Sequence, residues 1–541
     1  MKRQTASVWS RPAGLASACG VIAVMGWLLS GGVLAGGAGD AEKPDPVKAN
    51  GAIFKTTDGG DWPKPDAVLL FTGEQEGYLE PCGCAGLTNM KGGLKRRHTF
   101  LKELRGDGWP VLALDTGGLV KRFGQQGQLK YEKAVQALET MGYAGVGFGE
   151  KDLKMDVLGI AINLDPEKNP LTSANIGLLG FDPTMSKRWR VQEVGDLRIG
   201  FTSVLADSGM KGLADNPDID TLPAVKALKE VTADLEEQQC DQLALLVYGS
   251  GDEARKLAAE FPQYTWIVSA RGADEPPYQA EKLPGDQYLI ETGHKGMYGI
   301  AIGLYRGEGG EAEAGGLGFR YQKVPFDHRF EDSPEMQQLM VNYQEELRAF
   351  GYDGLGVKPQ LHPSAEITKS QYAGSKTCED CHYEEYEIWA NSPHAHATDS
   401  IVDLEPARHF DPECISCHVT GWEPQKYHPF ANGWVNLETT ANLDQQGCEN
   451  CHGPAARHAA AQSGDIEVTD EELEALNQAL HLEIVENEGN KEGQEFAGGK
   501  VVQTCMQCHD LDNSPDFDFQ AYWQVVKHGE RWPRDEEDDD E

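Results

Sequence analysis

The chain has 541 residues, 40 % of them hydrophobic, and a formal charge of −39. This allows two to four domains with packed cores and excludes a disordered polymer. The negative charge argues against nucleic acid and anionic membrane surfaces as partners. It concentrates in residues 372–541, which hold 9 Lys/Arg against 37 Asp/Glu, so a partner with a basic patch is the natural complement.

The first elements in chain order are those of an export signal. Lys2 and Arg3 give a positive start, an apolar stretch runs from Ala13 to Ala35, and small residues follow to Ala38. We read residues 1–38 as a signal peptide and the protein as periplasmic or otherwise exported. The alternative is an uncleaved anchor, because the stretch approaches spanning length; membrane association is then through the N-terminus alone. Cys19 precedes much of the apolar stretch, which speaks against a lipoprotein.

Residues 66–325 alternate between strand and helix patterns, which predicts an α/β layered domain. Apolar strands are expected at Ala67–Thr72, Val111–Asp115, Leu197–Val204, Gln242–Tyr248, Tyr264–Ala270, Gln287–Glu291 and Ile300–Tyr305. Helices are expected at Gly93–Leu104, Leu129–Met141, Pro223–Glu237 and Asp252–Glu260, and a surface loop at Glu308–Gly318. Cys240 reads as a small buried hydrophobe. Cys82 and Cys84 are separated by Gly83 alone. A disulfide across one residue would be strained, so the pair is a candidate thiolate site for a separate metal, with a plain Gly-rich loop as the alternative.

The order Glu74-Gln-Glu76, Asp115-Thr-Gly-Gly118, Gly147-Phe-Gly149-Glu-Lys-Asp152, Ser173-Ala-Asn175, Tyr248-Gly249 and Ser269-Ala-Arg271 resembles the metallophosphoesterase fold of periplasmic 5′-nucleotidases. The resemblance places two-metal ligands at these motifs, yet their histidines are absent and only Asp115 and Asn175 are kept. A two-metal hydrolase needs such ligands, so the domain is expected to be degenerate, with a phosphoesterase fused to the next domain as an alternative.

Residues 326–371 read as a helix and a linker. Ser333-Pro334-Glu335 starts the helix, with Ser as N-cap and Pro at the first position. Met336, Leu339, Met340, Tyr343, Leu347 and Phe350 recur at helical spacing, and Gly351 ends it. Gly354–Ile367 then forms the linker.

Residues 372–534 carry one pattern four times: Cys378-x-x-Cys381-His382, Cys414-x-x-Cys417-His418, Cys448-x-x-Cys451-His452 and Cys505-x-x-Cys508-His509. This is the attachment signature of c-type haem. Two thiols at this spacing reach the two vinyl groups of one porphyrin, and the adjoining His ligates the iron. Zinc or disulfides would gain nothing from a His after every pair. Four covalently bound haem c groups are therefore expected, and an electron carrier rather than an enzyme.

A second histidine can close each iron for electron transfer; an open iron can bind a small molecule. His394, presented from a turn at Ser392-Pro393, His458 and His528 stand out. His396, His409 and His428 are weaker candidates, and His481 lies on an acidic, polar helix. The motifs, with Ser392-Pro-His-Ala-His396 and Gly453-Pro454, resemble the tetrahaem cytochrome c family that accepts electrons from hydroxylamine oxidoreductase. That resemblance implies a mostly α-helical, loop-rich multihaem domain with His394, His458 and His528 as distal ligands and the iron on His418 left open. It further implies His528 over the first haem, His394 over the third and His458 over the fourth. The alternative to a carrier is a multihaem oxidoreductase using the open iron on a small nitrogen or sulfur compound. The expected partner is a redox protein with a basic patch. Residues 535–541 are an acidic tail.

Overall fold

The strands of the N-terminal region are continuous apolar runs because both of their faces are covered. The computed structural model describes residues 53–56, 59–81, 90–213, 216–482 and 500–528. Residues 1–38, Cys82, Cys84 and the tail 535–541 lie outside the described residues.

The strands are β1 (Ala67–Thr72), β2 (Val111–Asp115), β3 (Tyr143–Val146), β4 (Ile176–Leu178), β5 (Arg190–Val194), β6 (Leu197–Leu205), β7 (Ile219–Thr221), β8 (Gln242–Tyr248), β9 (Trp266–Ser269), β10 (Glu281–Lys282), β11 (Tyr288–Glu291), β12 (Tyr298–Tyr305), β13 (Ala312–Ala314) and β14 (Leu317–Pro325). They build two six-stranded sheets, in the orders β13-β14-β12-β1-β2-β3 and β10-β11-β9-β8-β6-β5; β4 and β7 pair separately. β1, β2 and β3 run parallel in the first sheet, as do β6, β8, β9 and β11 in the second.

Alternation along β1 shows the layering. Ala67, Leu69 and Phe71 join Phe201, Leu246 and Trp266 in the core between the sheets. Val68 and Leu70 join Phe100, Leu101, Leu138 and Met340 in the core between the first sheet and its helices. The helices Ala224–Glu237 and Gly251–Glu260 cover the other sheet through Leu228, Val231, Leu235 and Leu257. Each such buried side chain contributes roughly 1.5–3 kcal/mol. The result is a four-layer α/β/β/α domain.

Two expectations need correction. Glu308–Gly318 is not simply a loop: β13 lies within it and pairs with β14 as a hairpin. The helix expected to link the domains, Pro334–Gly354, belongs to the α/β layers. Ser333 caps it by accepting a hydrogen bond from Met336 N, and Met336, Leu339, Met340, Tyr343 and Leu347 are buried against the helices Leu94–Gly106 and Gln125–Thr140. Phe350 falls off this stripe and is 41 % exposed; the helical backbone breaks at Gly351 (φ 58°, ψ 178°), where its end was expected, and a further turn carries the element to Gly354. The expected linker contains a further helix, Pro363–Thr368, capped by His362.

The C-terminal region is built from short helices: Tyr383–Ala390, Asp399–Val402, Pro412–His418, Cys448–His452, Ala456–Gln462, Asp470–Leu480, Lys500–Cys505 and Phe519–Val526. Its apolar cluster is Ile401, Ile415, Val419, Trp422, Trp434 and Leu443. The helices Tyr383–Ala390, Ala456–Gln462 and Phe519–Val526 have no buried residue. Some of their apolar side chains are exposed, Tyr383 to 62 % and Val525 to 53 %.

All described residues fall in one compact unit, Pro44–Glu541. Polar ties join its two regions. Tyr78 donates to Asp512 (2.9 Å), which also pairs with Lys295 and Lys121. Lys130 pairs with Glu413 at 2.5 Å. Gln126 and Gln344 donate to the two carboxylate oxygens of Asp411 at 2.7 and 3.1 Å.

Candidate haem-binding site

The spacing Cys-x-x-Cys-His sets its own geometry on a helical turn. Residues i, i+3 and i+4 share one face, so both thiols and the imidazole project together. Helices carry the second and third motifs: Pro412–His418 ends on one, and Cys448–His452 is the other. The helix Lys500–Cys505 delivers the fourth. The first follows a 3₁₀ turn at Ser375–Thr377.

The four motifs lie against one another. The thiols of Cys378 and Cys448 are in hydrogen-bonding contact, as are those of Cys417 and Cys508. Cys451 lies within electrostatic reach of Cys505. Contact therefore runs from the first motif to the third, from the third to the fourth, and from the fourth to the second. Glu449, which sequence reasoning passed over, latches this array. It is buried and accepts hydrogen bonds from the backbone N–H groups of Ala373, Gly374 and Ala455. Burial pushes its carboxyl up, and those three N–H groups oppose the shift.

Three histidine pairs face each other. The ring centroids of His382 and His458 are 6.4 Å apart, those of His509 and His394 6.1 Å, and those of His452 and His528 5.8 Å. Two imidazoles on opposite sides of one metal ion, each nitrogen about 2 Å from it, need about 6 Å between centroids. The residues thus fit haem iron. The pairing corrects the one implied by resemblance: His458, not His528, faces the first motif; His528, not His394, faces the third; and His394, not His458, faces the fourth. The chain crosses over between motifs, so nearness in sequence does not set the partner.

The second ring nitrogens are also engaged. Nδ1 of His452 bonds to Leu480 O (2.7 Å), that of His458 to Asn477 (3.0 Å) and that of His528 to Val526 O (2.8 Å). Nδ1 of His418 bonds to Ala397 O at 2.6 Å. An anchored Nδ1 fixes the tautomer and leaves Nε2 for a metal. Burial favours the neutral form of four of the paired imidazoles: His394 is pushed down to about 4, first by burial and then by His509, and His452, His458 and His509 are also lowered. Neutral imidazole is the form that ligates.

Among the described residues, no histidine ring faces His418 in this way. His418 instead lines a cavity of about 1580 Å³ shared with Cys414, Cys417, Cys505, Cys508 and His509. Neither His409 nor His428 lines it. His428 is buried edge-on to Phe430, and the His409 ring lies 3.8 Å from that of Phe410. His396 is largely exposed beside Asp399 (3.6 Å). His481 caps the end of the helix Asp470–Leu480 and is exposed. His362, which sequence reasoning omitted, lines the cavity with Nδ1 held by Ser364 (2.8 Å).

In the α/β domain, the two residues expected to survive from a two-metal site serve the fold. Asp115 accepts from Thr72 (2.5 Å) and Gly117 N (2.9 Å), with the buried Arg97 guanidinium 3.8 Å away. Asn175 donates to Leu205 O and accepts from Leu205 N, closing a side-chain–backbone ring. Among the described residues, no three His, Cys, Asp or Glu side chains converge as metal ligands. Tyr248 reaches Glu74, whose carboxyl is pushed up to about 7 by burial and then by Glu76.

Solved structures similar to the chain include the sulfate thiohydrolase SoxB of Thermus thermophilus (TM-score 0.45, 12 % identity, 60 % of this chain and 68 % of that one). Another is the 5′-nucleotidase precursor of the same organism (TM-score 0.43, 14 % identity, 62 % and 66 %). In sequence, the cytochrome c-554 of Nitrosomonas europaea is 25 % identical over 158 residues, 27 % of this chain; the chain spans 60 % of that relative's length. A family model described as cytochrome c554 and c-prime matches residues 377–453. From its first to its third motif the chain is thus similar to the cytochrome c554 and c-prime family, and covalently bound haem c is the cofactor this implies.

Proposed function

We propose that the protein is an exported tetrahaem cytochrome that transfers electrons along its C-terminal region. Haem c, when bound, supplies the one-electron couple. The three imidazole pairs at 5.8–6.4 Å carry this reading. His382 with His458, His452 with His528, and His509 with His394 would hold three of the haem irons, and His418 would hold the fourth alone. The contacts between motif cysteines order the relay as first, third, fourth, second. His418 then stands at its end, on the cavity that the α/β domain helps to wall. The acidic C-terminal region docks a redox protein through a basic patch.

The test is a pyridine haemochrome count with low-temperature EPR of the purified ferric protein. Four haems, three low-spin and one high-spin, are expected. Four bis-histidine signals, or a protein free of haem from a host able to attach it, overturn the reading.

A second reading is favoured by the cavity at His418. There His418 would hold a haem with a free coordination position, which would supply redox chemistry toward a small nitrogen or sulfur compound. Cyanide or nitric oxide perturbing one haem in four supports it, and four inert haems remove it.

A further inference from the structure

The α/β domain presents cations to the cavity that the motifs share. Lys95, Arg96, Lys121, Arg122 and Lys130 line it from that side. The C-terminal region has only 9 Lys/Arg, and among its described residues Arg408 is the one that reaches the cavity wall. Arg408 is already paired with Glu80. A porphyrin of this type carries two carboxylates, and carboxylates set into a protein cavity need cations or N–H donors. The surrounding acidic region offers neutral N–H donors there, such as Gln507 and Asn513, but among its described residues no cation besides Arg408.

The partners of the five α/β cations narrow the choice. Lys95 pairs with Glu80 at 2.5 Å, Lys130 with Glu413 at 2.5 Å and Lys121 with Asp512 at 3.5 Å. Arg96 is buried, gives one N–H to Met90 O (2.7 Å), and has Asp332 no nearer than 3.9 Å. Arg122 has no carboxylate within salt-bridge distance among the described residues. Its guanidinium carbon lies over the Tyr427 ring, 3.8 Å from the centroid, and the group donates to Tyr427 Oη (2.8 Å) and Gln425 O (3.1 Å). Gln425 in turn donates to Asp510 (3.2 Å), next to His509. Arg122 is therefore held on the segment after the second motif, which Gln425 ties to the fourth motif through Gln507 and Asp510.

We infer that Arg122, on the segment after the second motif, and Arg96, elsewhere on the wall of the same cavity, are two separate anion contacts of the α/β domain for haem carboxylates, so that this domain completes the haem pocket and sets its potentials. Arginine suits such a site, because its planar fork meets a carboxylate with two parallel N–H groups while its face stacks on an aromatic ring. Burial lowers the Arg96 pKa, a penalty that an adjacent carboxylate would relieve. A positive charge beside a haem favours the reduced state, so its loss lowers the potential. The inference rests on the proposed haem attachment at Cys414–Cys417 and Cys505–Cys508.

The test is a spectroelectrochemical titration of the full-length wild type and of Arg122→Gln, Arg96→Gln and Arg122→Lys, each matched by haem count. The wild-type count tests the attachment itself, independently of the potentials. Each Gln variant should lower the reduction equilibrium constant of one or two haems about tenfold, 59 mV for a one-electron couple. Arg122→Lys, which keeps the charge, should recover most of the shift even if Arg122→Gln loads poorly. Potentials unchanged in both Gln variants at full haem load overturn the inference. So does a wild-type potential that moves with added acetate and stops doing so in Arg122→Gln, because the site would then hold a free anion.

Discussion

Replacing His458 with Gly removes the imidazole that faces His382 at 6.4 Å. It also removes the hydrogen bond to Asn477 (3.0 Å), worth about 1 kcal/mol, against a typical stability of about 5–15 kcal/mol. The chain should fold and load haem. With three of four irons capped before the change and two after it, the high-spin share of the ferric protein rises from a quarter to a half. Low-temperature EPR spin counting against a haemochrome total measures this, and added imidazole should remove the extra high-spin signal. The pairing has its own control. In a background where Cys378→Ser and Cys381→Ser delete the first haem, His458→Gly should add no further high-spin signal. A high-spin share still at a quarter in His458→Gly refutes the ligation. A new signal in the background lacking the first haem refutes the pairing.

Three other outcomes rest on the same geometry. Asp512→Asn leaves Lys295, whose side chain is 12 % exposed, without its counter-charge and should cost roughly 2 kcal/mol, read as a lower urea midpoint and faster cleavage between the two regions. Glu74 is raised from 4.5 to about 7, by burial and then by Glu76, so the native state binds its proton more tightly than the unfolded state does. Its contribution is full below about pH 4.5 and lost as pH rises through 7, up to about 3 kcal/mol; Glu74→Gln should flatten the fall in denaturation midpoint between pH 5 and 8. Electron exchange with a basic redox protein should slow as ionic strength rises from about 0.01 to 0.1 M and the Debye length shrinks from about 30 to 10 Å, and rates indifferent to salt would remove the docking surface.

The layered domain was legible because its strands are buried on both faces and therefore read as unbroken apolar runs: β1, β2 and β8 fall at the residues expected. The strands β3, β4, β5 and the nine-residue β14 escaped notice. β5 shows why: Arg-Val-Gln-Glu-Val lies at a sheet edge with two exposed residues and little apolar pattern. The helix after Ser333 was visible from its cap and stripe, but its neighbour was not, since a stripe says that a face is covered and not by what. In the C-terminal region the local chemistry could be read and the pairing could not. Cys-x-x-Cys-His is a contact within one turn, whereas His382 with His458 joins segments that meet only when the chain has folded back. Glu449 was hidden for a related reason, since its three N–H partners lie before the first motif and after the third.

Those cross-chain pairs also bear on how the C-terminal region folds. The α/β domain has three apolar clusters spanning its sheets and helices, whereas the C-terminal cluster is six side chains. A core of that size does not order a region of that length without staples. The residues placed to act as staples are the thioether cysteines and the facing histidines, which tie the first motif to the segment after the third and the fourth to the segment after the first. A chain with Ser at all eight motif cysteines should therefore keep the α/β domain and lose the fold of the C-terminal region. The boundary can be stated, because Met336, Leu339, Met340, Tyr343 and Leu347 are packed in the α/β core, whereas Tyr352 and Tyr372 pack on the C-terminal cluster. Limited proteolysis should cut between residues 355 and 372 and beyond, leaving a stable fragment that ends there. If the cysteine-free chain resists protease through its C-terminal region, apolar packing suffices and the coupling of folding to haem attachment is wrong.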